Sequence, residues 1–343
     1  MMTETTLASI TPPMEEPLPG RPRDFVPLLV ILALMALTFP LVGDLPSWGT
    51  LTVAALAMGM MLFLMASGLT LVFGLMDVMN LGHAAFVAFG AYVATSLTLP
   101  VEPLLLSPSP WANAAGLAII ALAAMAATAL MGLVFERLFI RPAGGNHLKE
   151  ILVTIGAMII IEQLLVVFWG PNQMWLQLPF SLQGSVILGD MFIEKYRIAA
   201  CLLGLVVFAG LMLLLSRTRL GLLIRAGVED REMVEALGYR INTLFVLVFA
   251  GGAALAGLGG AMWGFYREIF TLTIGAEVLV QLLIIVIMGG LGSLPGCFAA
   301  SILVALSTNY VGYLAPDFAM VANVAMMLAV LLWRPRGLYP LNG

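Results

Sequence analysis

The chain has 343 residues, of which 62% are hydrophobic and only 10% are charged, with a formal net charge of −4 and a mean hydropathy of +1.06. This composition supplies too little polar surface for a soluble domain of this length, so it excludes a soluble globular protein and indicates several membrane crossings. The two cysteines, Cys201 and Cys297, both lie inside apolar runs, so no disulfide framework is indicated.

The first 24 residues differ from the remainder of the chain. They are rich in proline, threonine and glutamate and have no apolar periodicity, which predicts a disordered tail. The tail is acidic, unlike the basic start of a signal peptide, so the first span is expected to be an uncleaved anchor. Residues 25–343 are predicted to form a single transmembrane domain.

Apolar runs near the length of about 20 residues that a bilayer requires occur ten times. We predict an all-α polytopic membrane protein with about ten transmembrane segments, some of them short or broken, at 25–42, 49–75, 80–99, 111–135, 150–169, 199–215, 244–265, 275–290, 296–313 and 316–333. The eighth and ninth are separated by GGLGSLPG (289–296). The sequence leaves open whether 275–313 crosses twice or forms a re-entrant pair.

The basic residues indicate the orientation. If both termini are cytoplasmic, ten alternating crossings place twelve of the fifteen Lys and Arg residues on the cytoplasmic side, as basic loops prefer. Those twelve are Arg21, Arg23, Arg137, Arg141, Lys149, Arg217, Arg219, Arg225, Arg231, Arg240, Arg334 and Arg336. Lys195, Arg197 and Arg267 fall outside. The long segment 170–196 is then extracytoplasmic, either as an interfacial loop or as a landing surface for a partner.

One polar interruption lies at 75–94, where Asp77, Asn80 and His83 fall within seven residues beside Gly74 and Gly82. Polar groups are costly in a bilayer, so this segment indicates a break between two helices. Asn80 is expected to cap the second helix, whose N-terminal end would face an anionic group in a pathway. The alternative is a tight, wet turn between two spans. His83 is expected to be a packing residue, because no second His or Cys lies nearby to complete a metal site.

A second interruption is GGLGSLPG. Irregular backbone is not tolerated in lipid, so this stretch must be buried in protein or line a polar cavity. The sequence favours equally a turn that joins two spans and a constriction in a pathway. Two further acids lie in or near apolar runs. Glu162 is expected to face the bundle interior and pair with a polar neighbour, and Glu136 is expected to reach the membrane edge or pair locally.

The densest charge lies in one loop, 217–240, between two membrane-length runs. Within it, 228–238 suits a short surface helix, with acids at its start, a predicted apolar stripe of Met233, Val234 and Leu237, and Gly238 as its stop. An exposed helix with an apolar stripe and a charged rim suits a groove on another protein. We therefore predict a cytoplasmic docking segment.

Several reaction motifs are absent from the sequence. The only lysines, Lys149 and Lys195, do not lie in GxxxxGK[ST], so no P-loop for ATP is present. HExxH and CxxC are also absent, and no nucleophile–base pair is evident. The sequence therefore predicts a non-catalytic protein with no catalytic residue and no metal site. Few intramembrane carboxylates are present, which disfavours a proton-coupled carrier.

Four colinear stretches resemble the permease subunits of branched-chain amino acid ABC importers: GLTLVFGLMDVMNLGHAAFVAFGAYVA (68–94), RAGVEDREMVEALGYR (225–240) with FAGGAALAGLGGAMWG (249–264), IIVIMGGLGSLPGCFAASILVAL (284–306) and LLWRPRGLYP (331–340). Together they cover most of the chain from residue 68 onward. The pattern is closer to the H-type than to the M-type permease, although LGHAAF (81–86) is a phrase common to the M-type.

The resemblance implies a type II ABC importer permease. Such a subunit is expected to pair with a second permease, homologous or identical, two cytoplasmic ABC ATPases and a periplasmic solute-binding protein, in the bacterial cytoplasmic (inner) membrane and without nucleic acid. No cofactor is expected on this chain, since ATP and Mg²⁺ belong to the ATPases. The docking segment then resembles their ATPase-coupling loop, and the residues that match it are Arg231, Glu232, Met233, Glu235, Ala236, Leu237 and Gly238.

The expected function is translocation of branched-chain or related small amino acids, driven by the partner ATPases. Movement of 228–238 would rock the bundle around a site near the two breaks. The residues expected to line the substrate pathway are Asn80, Gly82, His83, Gly289, Gly290, Gly292 and Ser293. The sequence leaves two alternatives: a permease of the same family for urea or short amides, and a stand-alone secondary transporter or channel.

Overall fold

The computed structural model describes residues 25–340 except Asp77, Met79, Gly145 and Asp230. The predicted tail at 1–24 lies outside the described residues, as do residues 341–343. Within the described ranges, most of the chain is helical, with helices α1 (Val26–Val42), α2 (Leu45–Met76), α3 (His83–Leu105), α4 (Pro110–Phe135), α5 (Arg141–Ala143), α6 (His147–Trp169), α7 (Lys195–Arg217), α8 (Arg219–Glu229), α9 (Arg231–Ala236), α10 (Ile241–Arg267), α11 (Ile274–Gly289), α12 (Leu294–Leu314) and α13 (Ala319–Trp333).

Seven of these helices are long and apolar enough to cross a membrane: α2, α3, the continuous α4–α5 segment, α6, α7, α10 and α12. A π-helical turn, Glu136–Ile140, joins α4 to α5. Three shorter apolar helices, Val26–Val42, Ile274–Gly289 and Val321–Trp333, coincide with the first, eighth and tenth predicted segments. The apolar runs therefore located the long helices, with shifts of a few residues at their ends.

The bundle centre is formed by α2, α3, α10 and α12, which carry most of the fully buried side chains. The helices of this centre approach each other closely because glycines on one helix lie against the backbone of the next. A Cβ atom on Gly90 would lie 2.5 Å from Gly257 Cα, and one on Gly260 would lie 2.0 Å from the Val87 carbonyl oxygen. The small-residue face of α10, with Gly252, Ala256 and Gly260, is therefore a helix-packing face, as small residues favour in membranes.

The tenfold apolar pattern does not predict every element. The described residues also include four strands of two to four residues each, in a structure that is otherwise helical as expected. β1 (Met174–Trp175) pairs antiparallel with β4 (Ile269–Phe270), and β2 (Ser185–Leu188) pairs antiparallel with β3 (Met191–Glu194). Three of these strands lie within 170–196, where they give the predicted loop a defined hairpin and a link to the end of α10.

The segment 275–313 forms two helices rather than one. α11 has 16 residues, or roughly 24 Å of helix at 1.5 Å per residue, which is shorter than the hydrocarbon core of about 30 Å. α11 is largely buried, and a Cβ on Gly275 would lie 2.2 Å from the Ala84 carbonyl oxygen in α3. Protein rather than lipid therefore surrounds most of this short helix.

Candidate functional site

The first helix break joins α2 to α3. His83 is buried, and its Nε2 lies 2.9 Å from the carbonyl oxygen of Met65, eleven residues before α2 ends at Met76. α3 therefore begins beside the interior of α2 rather than at its end, and the connection turns back into the bundle. This position confirms that His83 is a packing residue. Asp77, which belongs to the same interruption, lies outside the described residues.

Asn80 lies in this connection but does not cap α3 with its side chain, so the expected N-cap is wrong. The residue before α3 is Gly82, with no side-chain cap, and the His83 N–H donates to the Asn80 backbone oxygen. The Asn80 side chain is 1% exposed, and neither its Oδ1 nor its Nδ2 has a hydrogen-bond partner among the described residues. The alternative of a wet turn is therefore wrong for Asn80, because this amide is inside the protein, and the part that concerns Asp77 stays a prediction.

The second break, between α11 and α12, is a glycine turn. Gly290 (φ +101°) and Gly292 (φ +78°) both adopt conformations that other residues rarely take. Ser293 is buried, and its Oγ accepts a hydrogen bond from Gly296 N at 3.2 Å, which caps α12. The turn therefore ends one helix and starts the next within four residues.

The C-terminal segment covers this turn. Leu338 N donates to the Met288 carbonyl oxygen at 2.9 Å, and Tyr339 N donates to the Gly289 oxygen at 3.2 Å. A Cβ on Gly337 would lie 2.6 Å from Gly290 Cα, so the two backbones are in direct contact. Buried irregular backbone requires such partners, and the chain supplies them from its own C-terminal end.

The two breaks touch each other. A Cβ on Gly74, near the end of α2, would lie 2.1 Å from Gly292 Cα. The structure therefore brings the region of Asn80, Gly82 and His83 close to that of Gly289, Gly290, Gly292 and Ser293, which the sequence alone did not establish. Whether these seven residues line a substrate pathway stays a prediction.

The predicted docking segment forms two short helices, α8 and α9, rather than one helix over 228–238. Its inner face carries Ile224 and Val234, which are buried, and the next residue after the segment, Ile241 at the start of α10, is also buried. Its outer face carries Met233, Leu237 and Tyr239, which are 54%, 68% and 52% exposed. The predicted apolar stripe is therefore wrong at Val234, because this residue packs inward while its neighbours face out.

Gly238 ends α9 as the sequence predicts. Its φ is +87°, its N–H donates to the Glu235 oxygen at 2.9 Å, and the Tyr239 N–H donates to the Val234 oxygen at 3.3 Å. This pair of hydrogen bonds is the Schellman arrangement, which favours glycine. Glu232, Glu235 and Ala236 are exposed around the same face. The side chain of Arg231 lies outside what the structure describes.

A cavity of about 590 Å³ lies beside the first break, at the end of the bundle nearest α8 and α9. The sequence did not identify it, and none of the seven predicted pathway residues lines it. The residues that line it come from four parts of the chain: Met76, Val78, Leu133, Glu136, Arg137, Ile140, Arg141, Gly144, Glu150, Asn242, Thr243, Phe245 and Val246.

Two acids in this cavity are buried. Glu136 is 6% exposed and Glu150 is 3% exposed, and Oε2 of each lacks a hydrogen-bond partner among the described residues. Glu136 is therefore buried within the chain, and its expected place at the membrane edge stays a prediction. In the sequence, Glu136 and Glu150 lie on either side of the loop between the fourth and fifth predicted spans, but no local pattern there indicates that both are buried.

Glu162 differs from its expectation. It is half-buried on α6, and its Oε1 has no hydrogen-bond partner within the described part of the chain. α6 is an outer helix, with 17% of its most apolar window buried. The expected pairing of Glu162 with a polar neighbour of the same chain is therefore wrong.

Comparison with known proteins gives a consistent family. The profile of the family described as branched-chain amino acid transport system / permease component matches residues 51–331. The high-affinity branched-chain amino acid transport system permease protein BraD of Pseudomonas aeruginosa is 27% identical over 293 residues, which cover 83% of this chain and 94% of BraD.

Relatives of both named types are found in Escherichia coli K12. The high-affinity permease protein LivH is 24% identical, with 80% of this chain and 90% of LivH covered. The high-affinity permease protein LivM is 29% identical, with 92% of this chain and 75% of LivM covered. No solved structure matches the chain. The multi-pass character that the sequence indicated agrees with these permease relatives and with the seven apolar helices.

Proposed function

The chain belongs to the family of permease components of branched-chain amino acid transport systems, and from this premise we propose that it is the transmembrane permease subunit of an ABC importer. Its substrates are branched-chain or related small amino acids, because the relatives carry that description. The energy comes from partner ATPases, since this sequence has no P-loop.

The proposed assembly contains this chain, a second permease, two ATPases on the cytoplasmic side and a periplasmic solute-binding protein. Relatives named LivH and LivM support a pair of permeases. In this assembly the chain is a non-catalytic subunit of type II architecture in the bacterial inner membrane. It carries solute through a pathway that opens alternately to each side.

We propose ten crossings, with both termini in the cytoplasm. The seven long helices and three shorter apolar ones supply that number of segments. The shorter helices need local thinning of the bilayer or protein around them, and α11 has the latter. Ten crossings also bring twelve of the fifteen basic residues to one side, as the positive-inside rule favours.

The main support is that Met233 on α9, and Leu237 and Tyr239 directly after it, face the outside of the protein, while Val234 packs α9 against the bundle. Exposed apolar side chains on a membrane protein's polar end are unfavourable in water, and a groove on a partner would cover them. Ile241 begins α10, a central helix, so a force on α9 passes directly to the bundle centre.

Reconstitution tests the substrate and the energy source together. We expect uptake of L-leucine into proteoliposomes only when the second permease, the ATPases, the binding protein and ATP are all present. Uptake of urea in preference to L-leucine would contradict the proposed substrate class but would still support an ABC importer. Uptake by this chain alone, without ATP, would contradict the importer and support a stand-alone transporter or channel.

A matched pair of double variants tests the coupling role. Gly238→Ala with Glu232→Gln changes a left-handed glycine and an exposed acid on α9, whereas Gly43→Ala with Asp44→Asn changes the same two features between α1 and α2. Both glycines have φ +87° and open space around them, so the backbone strain is equal. We expect ATP hydrolysis to continue without uptake only in the α9 variant. Full uptake there would overturn the coupling role.

A further inference from the structure

The cavity beside the first helix break has an uneven distribution of charge. Its deep acids, Glu136 and Glu150, are almost fully buried, whereas Arg137 and Arg141 at its mouth are exposed. Part of the remaining wall is apolar and is formed by Met76, Val78, Leu133, Ile140, Phe245 and Val246, and Asn242 and Thr243 add polar groups to it. One cavity of about 590 Å³ therefore contains buried acids, exposed arginines and an aliphatic surface.

The two buried acids favour binding of a positively charged group. Oε2 of each carboxyl group is buried and has no hydrogen-bond partner among the described residues. Burying an unpaired polar atom destabilises a protein unless a ligand or a water molecule bonds to it. His147 Nδ1, on a largely exposed side chain, lies 3.7 Å from Glu150 Oε2, so this contact is an ion pair when the imidazole is protonated and not a hydrogen bond. Both carboxyl groups therefore line the cavity with unused acceptor capacity at a buried oxygen.

An ammonium group fits this capacity better than a metal ion. The described residues contain no group of three or more His, Cys, Asp or Glu side chains placed to hold a metal. Two carboxyl groups are a small ligand set for Mg²⁺ or Ca²⁺, whereas an ammonium has three donors and is satisfied by a few acceptors. The interior therefore favours an amine.

The guanidinium groups at the mouth favour the opposite charge. Arg binds carboxylates through two parallel hydrogen bonds, and Arg137 and Arg141 stand one helical turn apart on the π-turn and α5. We propose that this cavity binds a zwitterionic amino acid, with its ammonium at Glu136 and Glu150, its carboxylate at Arg137 or Arg141, and an aliphatic side chain on the apolar wall. The choice of an aliphatic amino acid rests on the proposed function.

The cavity lies at the end of the protein that carries the docking segment. Asn242 and Thr243 line the cavity from the first turn of α10, directly after Ile241, which anchors α8 and α9. The site thus opens at the end of the protein that carries the docking segment and not at the 170–196 end. In the proposed orientation it takes amino acid from the cytoplasmic side, where imported substrate accumulates.

Equilibrium binding of radiolabelled L-leucine to the assembled transporter in nanodiscs, without binding protein or nucleotide, tests the proposal. We expect saturable binding that Glu136→Gln with Glu150→Gln weakens at least tenfold. The exposed-acid control Asp44→Asn leaves it unchanged. 3-Methylbutylamine, which lacks the carboxylate, competes more weakly than L-leucine and loses its competition when the two acids are replaced.

A second variant keeps the test decisive if the double Gln variant does not fold. Thr243 is an exposed residue of the rim, so Thr243→Trp narrows the mouth without touching either acid, and it should reduce binding at least tenfold. Absence of saturable L-leucine binding, or equal binding in both variants, would overturn the site. If this cavity binds L-leucine but the complete transporter shows no ATP-driven uptake, the proposed importer function is contradicted while the binding site is supported.

Discussion

The inner and outer helices of this protein use their apolar residues in opposite ways. In α2, 83% of the most apolar window is buried inside the chain, whereas in α6 and α7 only 17% is buried, although those two windows are more hydrophobic. Hydropathy therefore measures the ability to enter a bilayer and not the depth within the bundle.

The difference follows from packing physics. Inside a membrane, the apolar effect does not drive helices together, since lipid is as apolar as leucine, so close van der Waals contact decides which helices associate. Glycines at Gly90, Gly257 and Gly260 allow backbones to meet, whereas Gly156 on α6 and Gly210 on α7 have nothing within 4 Å of a Cβ position. Substitutions at the two kinds of glycine should have very different effects.

The largest expected effect contrasts two positions of α10. Gly260→Val places a Cβ within 2.0 Å of the Val87 backbone, and because backbone cannot yield, the variant should lose about 3 kcal/mol or more of unfolding free energy. Gly251→Val, on the same helix but in open space, should stay within about 0.5 kcal/mol. Thermal unfolding in detergent compares them, and equal losses would refute the distinction between the two faces.

The next contrast concerns the C-terminal cover of the second break. Gly337 and Gly43 share φ +87°, so alanine causes equal backbone strain at both. Only at Gly337 would the new Cβ meet another backbone, 2.6 Å from Gly290 Cα, so Gly337→Ala should cost about 1–3 kcal/mol more than Gly43→Ala. Chemical unfolding of the two variants measures the difference. No difference would mean that the C-terminal segment does not hold the turn.

The smallest contrast in stability separates two buried amides, Asn80 and Asn113, which are each 1% exposed. Asn113 makes three hydrogen bonds, two through Nδ2 to the oxygens of Leu104 and Ser107 and one from Ser181 N to Oδ1, whereas the Asn80 side chain makes none with the described residues. Asn113→Ala should therefore cost about 1–2 kcal/mol, and Asn80→Ala should cost almost nothing.

Transport should reverse that order. If Asn80 lines the pathway, Asn80→Ala should reduce uptake per folded transporter at least tenfold, while Asn113→Ala reduces only the amount of folded protein. Uptake normalised to folded protein in proteoliposomes separates the two. Normal uptake in Asn80→Ala would remove this residue from the pathway and leave its unpartnered amide without a role.

The sequence predicted the elements that depend on local chemistry. Apolar length located the long helices, and Gly238 ended α9 because only a residue tolerant of positive φ suits that turn. His83 was correctly taken as a packing residue, since it stood alone in an apolar run. These features depend on a few neighbouring residues, so a single sequence contains the information.

The features that sequence analysis missed depend on distant partners. Asn80 was expected to cap α3, but α3 begins beside the middle of α2, a position that Met65 and the glycines of α10 determine. Val234 turned inward because α9 packs on the bundle. Glu136 and Glu150 share a cavity only because α4, α6 and α10 converge there. A pattern within a few neighbouring residues cannot predict that helices distant in the sequence meet at one cavity.

The neighbours of α9 in the assembled transporter test its coupling role most directly. A photo-reactive amino acid in place of Leu237, which is 68% exposed, should crosslink to a partner ATPase after irradiation of the purified complex. The same probe in place of Ile187, which is 63% exposed in the β2–β3 hairpin, should give no ATPase adduct. An ATPase adduct from Ile187, or none from Leu237, would contradict the proposed role of α9.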